Sequence, residues 1–177
     1  MRPITRRGFW ALLAILLASP SFAAHTLRQQ HRAIVTRWLQ QHPNLRLAST
    51  SDCRFCADNI ATMRRGIDDE WKPVPDYDPY RAVGDFNGDG YIDFAVVVID
   101  TKKSKDAFAL VIFNGPFTSD TASPAFLEEN LDLSNQGLFF GPPRPKPYRL
   151  VVGEFESDNS GILEPAGGYY RWIHEDD

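Results

Sequence analysis

Between Gly84 and Asp93 the chain reads GDFNGDGYID, and four side chains there can offer oxygen to a cation: Asp85, Asn87, Asp89 and Asp93. Their near-alternate spacing turns them toward a common centre when the backbone loops, and Gly90 supplies a sharp turn between the third and the fourth. Hard cations such as Ca2+ take six to eight oxygen ligands at about 2.3–2.6 Å. Counted from Asp85, the four fall at loop positions 1, 3, 5 and 9, with Gly90 at position 6 and the backbone carbonyl of Tyr91 at position 7. A helix–loop–helix calcium hand needs a bidentate Glu at position 12. Val96 stands there, and the flanking segments read as strands, so the helical hand is excluded. Three carboxylates this close repel one another unless a cation offsets them. The plainer alternative is a turn rich in Asp, Asn and Gly for conformational reasons alone.

The pattern D-x-N-x-D-G-x-x-D, with Gly84-Asp85-Phe86 in front and an apolar run behind, resembles the calcium loops of FG-GAP and VCBS repeats. The resemblance covers Tyr80 to Asp100. It implies one Ca2+ held by the side chains of Asp85, Asn87, Asp89 and Asp93 and by the carbonyl of Tyr91, in a structural role. FG-GAP repeats build propellers, and repeat folds need about three units to bury a core. No second GDxNxDGxxD is present; Gly153 to Asn159 echoes the motif but lacks the turn glycine and the last acid. Neither a propeller nor an adhesive role carries over from the resemblance.

Other chemistry-bearing residues are fewer. Cys53-Arg54-Phe55-Cys56 is C-x-x-C, but Ala57 replaces the His of a haem attachment motif, and no further Cys completes a zinc site. A redox pair would accompany a βαβ pattern, which is missing, so a local disulfide between Cys53 and Cys56 is expected, with two buried thiols as the alternative. His31 and His42 lie about 16 Å apart along a helix at 1.5 Å per residue and cannot share a metal; both are expected to face solvent. There is no G-x-S-x-G and no H-E-x-x-H. Glu154 and Glu156 alternate on an expected strand, where paired carboxylates could act on a glycosidic bond if about 5–9.5 Å apart. Trp71, Tyr77, Tyr80, Tyr148, Tyr169, Tyr170 and Trp172 form an aromatic set that could pack the core or present a binding face.

The elements that position these residues can be read in outline. Residues 1–24 carry Arg2, Arg6 and Arg7, an apolar run from Phe9 to Ala18 and a small-residue cleavage site near Ala23, the anatomy of an export signal by either the Sec or the twin-arginine route. The run is too short for a membrane span, which needs about 20 residues. Cleavage after Ala23 leaves 16 basic residues against 23 acidic ones, a net charge of −7, which disfavours nucleic acid.

Residues 25–177 are expected to form one domain, with a helical part at 25–66, a linker at 67–79 and a β-rich part at 80–177. Leu27, Ile34, Val35 and Trp38 share one face of a helix from Thr26 to Gln41, and Asp52 caps a second from Cys53 to Arg65. Strands are expected near Tyr80–Val83, Phe94–Ile99, Ala107–Phe113, Tyr148–Phe155, Ile162–Glu164 and Tyr169–Ile173, with a short helix in Pro124–Leu133 and an extended arm over Pro142–Pro147. The fold class expected is α+β: two N-terminal helices followed by a mostly antiparallel sheet carrying the calcium loop. The functional expectation is a periplasmic or secreted, non-catalytic protein with one structural Ca2+. Its partner would be another envelope protein or a cell-wall glycan. The rival expectation is a glycan-directed hydrolase using Glu154 and Glu156.

Overall fold

A computed structural model describes residues 26–66, 72–144 and 146–174. The expected export signal and Trp71 lie outside the described residues. Nine strands and two short helices follow in the order α1 (Gln29–Gln40), β1 (Leu45–Leu47), α2 (Ala57–Arg65), β2 (Arg81–Gly84), β3 (Asp93–Asp100), β4 (Phe108–Phe113), β5 (Phe126–Leu131), β6 (Gln136–Phe139), β7 (Leu150–Glu154), β8 (Ser160–Ala166) and β9 (Tyr169–His174). The expected α+β layout is overturned. A strand separates the two helices, and the strands form two antiparallel sheets, so the described chain is mostly β.

Strand β3 explains the layering. Its run Phe94–Ile99 is buried throughout, so both of its faces must be covered. Phe94, Val96 and Val98 point to one side, where they meet Val111 and Phe113 of β4 and the α1 stripe of Ile34, Val35 and Trp38. Ala95, Val97 and Ile99 point to the other, toward Leu138, Leu150, Val152 and Leu163 of the second sheet. The result is α1, then the first sheet, then the second. α2 contributes Ile60 to the inner cluster.

Within the first sheet, β1 and β2 lie end to end along one edge of β3: Leu45–Leu47 pair with Val98–Asp100, and Arg81–Gly84 pair with Asp93–Val96. β4 takes the opposite edge and β5 lies outside it, with a register shift between Phe108 and Leu110. The second sheet is a meander, β6-β7-β8-β9. Gly167 and Gly168 make its last turn with φ of +63° and +99°, the left-handed pair that a tight hairpin requires.

Three local expectations change. Pro124–Leu133 was expected to hold a helix, yet residues 126–131 are strand β5: pairing with β4 outweighs the helix preference of Glu128 and Glu129. α2 begins at Ala57, not Cys53, because Phe55 takes a left-handed φ of 60° in the preceding turn. Asp52 instead closes a 3-10 turn by accepting the Ser49 N–H at 2.9 Å, and it pairs with Arg46 at 2.6 Å.

His31, expected on the solvent side of α1, is buried. Its ring stacks on Phe94 at 4.6 Å with Phe117 edge-on at 5.5 Å, and its Nδ1 accepts the Arg28 N–H at 3.4 Å. Burial, with the nearby Arg28 charge, lowers its pKa to about 4. Between the ordinary value of 6.5 and that value, the unfolded chain takes up a proton that the folded one refuses. The stabilising effect of neutral His31 is therefore intact above pH 6.5, declines as pH falls and is gone below about 4. Unfolding free energy should drop by up to about 3 kcal/mol across this window on that account. His31→Gln should remove most of the drop in urea titrations at several pH values. A variant as acid-sensitive as the wild type over the same range would refute this origin.

Candidate metal centre

Gly84, the last residue of β2, pairs with Asp93, the first of β3, so residues 85–92 are the connection of a β-hairpin. The base of the hairpin is fixed by packing. A Cβ on Gly84 would overlap the Phe140 ring, which also meets the fully buried Phe86 edge-on at 5.0 Å. The tip, residues 88–91, is exposed, and Gly88 and Gly90 take φ of +77° and +88°.

The polar side chains of the loop organise its own backbone. Asp85 Oδ1 accepts the N–H groups of Gly88 at 2.7 Å and Asp89 at 3.1 Å, and its Oδ2 accepts that of Gly90 at 2.9 Å. Asn87 Oδ1 accepts the Asp89 N–H at 3.0 Å while its Nδ2 donates to Asp89 Oδ2 at 3.0 Å. Asp89 Oδ1 accepts the Tyr91 N–H at 2.8 Å.

Asp93 behaves differently. Its side chain is 0% exposed, and its two oxygens accept from separate parts of the chain: Oδ2 from the Phe86 N–H and Oδ1 from the Gly115 N–H, both at 2.9 Å. It thus ties the loop to the end of β4. Burial pushes its pKa up to about 6; the two N–H groups work against that rise, and the Asp89 charge adds to it. The residue beside Gly115, Asn114, accepts the Tyr170 hydroxyl at 2.7 Å. The second sheet therefore joins the same junction. Burial raises the Tyr170 phenol above its usual range, and the Asp93 charge adds to the rise.

The hairpin thus gathers Asp85, Asn87, Asp89, Tyr91 and Asp93 in one loop, with Asp89 and Tyr91 exposed, Asp85 and Asn87 half-buried and Asp93 buried at the base. Their donors are all oxygen, the chemistry a hard cation prefers. Each carboxylate oxygen has a second acceptor site beyond the N–H it already holds, except where two N–H groups share Asp85 Oδ1. Even so, among the described residues no group of three or more His, Cys, Asp and Glu side chains is drawn together closely enough to hold a metal ion. As arranged, the side chains satisfy the loop before they satisfy a cation.

The remaining sequence candidates are dispersed. Cys53 and Cys56 stand at disulfide distance, with Cα atoms 5.6 Å apart, in the turn before α2 and not on a helix face. Glu154 ends β7, whereas Glu156 lies in the following turn with φ of 63°, so they do not share a strand face. Tyr77, Tyr80 and Tyr170 are core residues, while Tyr169 is exposed; the aromatic set does not form one surface. The role of Asp93 as a brace was not readable from the motif, because its partner Gly115 belongs to another turn. No family model, curated protein or solved structure matches this chain.

Asp93→Ala would strip the acceptor from two amide groups at a buried junction, at about 1–3 kcal/mol for each unsatisfied donor. Urea denaturation in the presence of chelator should show a loss of about 3 kcal/mol. A loss below about 1 kcal/mol would show that the brace carries little of the fold.

Proposed function

We propose that this is an exported, non-catalytic binding domain of the cell envelope whose β2–β3 hairpin takes one structural Ca2+. The ligands would be the side chains of Asp85, Asn87, Asp89 and Asp93 and the carbonyl of Tyr91. The observation that carries this reading is the placement of three carboxylates on one hairpin, Asp85 and Asp89 in the loop and Asp93 buried at its base, where like charges repel. A divalent cation would offset that repulsion. Binding would require Asp85 and Asp89 to share their oxygens between the loop amides and the ion.

Export is supported by the arginines and apolar run of residues 1–24. A binding role is supported by the lack of a catalytic motif in the sequence and by the separation of Glu154 from Glu156. Among the described residues no helix is long and apolar enough to cross a membrane. The partner would be another envelope protein or a cell-wall glycan, met by a surface that the ion keeps in shape.

Thermal melts with Ca2+ and with chelator test the metal. At Ca2+ about 100-fold above Kd the gain is about 2.7 kcal/mol. For a chain of this length that corresponds to a rise in Tm of roughly 5–10 °C. Asp89→Ala should lose the rise. Superimposable wild-type curves, with no calorimetric heat at millimolar Ca2+, would end the proposal.

A further inference from the structure

A cleft of about 330 Å3 opens where β5, the outer strand of the first sheet, faces the second sheet. That volume falls at the small end of ligand sites, roughly 300–1,000 Å3. Its lining combines one indole, Trp172, with the carboxylates of Glu128 and Asp132, the amides of Asn130, Gln136 and Asn159, and an apolar patch at Leu133. Among the described residues no Lys, Arg or His lines it.

The indole is held in place. Trp172 Nε1–H donates to the Glu128 carboxylate across the two sheets, and Phe126 meets the ring edge-on at 6.3 Å. Asp132 accepts both the N–H and the hydroxyl of Ser134, at 3.1 and 2.7 Å, and these bonds hold its carboxyl below the usual range. It is therefore ionised and accepts only. A ligand must bring hydrogen-bond donors to Glu128 and Asp132, accept from the lining amides, and lay an apolar face on a fixed aromatic ring.

We propose that this cleft binds an uncharged saccharide ring. Its hydroxyl groups both donate and accept, which suits a lining of carboxylates and amides together, and its C–H face suits the indole. An anionic ligand would meet the two carboxylates directly, whereas the cations that act there, Lys103 on Asn130 and Arg54 and Lys105 on Asp132, are not among the lining residues. An ammonium ligand would leave the amide donors without acceptors. The proposal rests on the reading of the chain as a non-catalytic binding domain and narrows its partner to a glycan. It does not depend on the metal, since no residue of the hairpin lines the cleft.

The test is a titration of the purified protein with N-acetylglucosamine, glucose, galactose, chitobiose and cellobiose, followed by the indole N–H resonance of Trp172, assigned through Trp172→Phe. At least one sugar should shift that resonance in a saturable way. Measured by calorimetry, since the Trp172 variants lack the reporting indole, Trp172→Ala should weaken binding about tenfold or more and Asp132→Asn by a smaller factor, in protein whose remaining spectrum is unchanged. Trp172→Phe, which keeps an aromatic ring, should retain part of the affinity and serves if the alanine variant does not fold. Asp89→Ala should bind as the wild type does, which separates this site from the calcium reading. No shift with any sugar in the folded protein would overturn the proposal, as would equal or stronger binding of glucuronate or spermidine. Cleavage of chitotetraose would uphold the saccharide site and overturn the non-catalytic reading instead.

Discussion

Everything in this fold answers to the double burial of strand β3. A strand with no polar face cannot lie at a surface, so one layer must cover each side. The even-numbered residues from Phe94 to Val98 recruit α1, and the odd-numbered ones from Ala95 to Ile99 recruit the second sheet. Because these layers come from opposite ends of the described chain, the central strand is satisfied only when distant segments meet. The hairpin loop hangs from the first residue of that strand, and so inherits its rigidity.

That inheritance gives Asp93 two roles that pull against each other. As a brace it is already committed to the Phe86 and Gly115 amides. As a member of the D-x-N-x-D-G-x-x-D pattern it is, in the function proposed above, also a ligand of a cation. The two roles are compatible because a carboxylate oxygen can accept twice. The loop is also tied to its surroundings: Asp93 accepts from Gly115 at the end of β4, and the neighbouring Asn114 accepts the Tyr170 hydroxyl of the second sheet.

Most of what the sequence made legible was local, although the turn at Phe55 that delays α2 and the pairing of Asp52 with Ser49 and Arg46 were local and were not read. The β-branched run of β3, the returning run of β4, the α1 stripe and the Gly167-Gly168 turn all lie within a few residues of their cause. What could not be read was set by partners far along the chain. Nothing near His31 announces that Phe94 and Phe117 will enclose it. Nothing in Glu128-Glu129 announces that β4 will claim the segment as a strand. Division of the strands into two sheets has no local marker, since it depends on which faces find each other. The motif residues of the loop were legible as a set; that Asp85 and Asp89 would be spent first on loop amides was not.

Strand β5 has a further consequence, for how copies of this protein behave beside one another. It forms the open margin of the first sheet and carries Leu127, which is 45% exposed, so it resembles a template on which a second chain could add. Yet its register breaks opposite Phe108 and Leu110, and Asn130 turns to a φ of 66° and is bonded by Lys103. Two acidic side chains, Glu128 and Glu129, occupy its middle. A kinked, charged margin is a poor partner for strand addition. That margin thereby carries its own protection against strand addition by a second copy, which matters most for a β-rich chain at high local concentration.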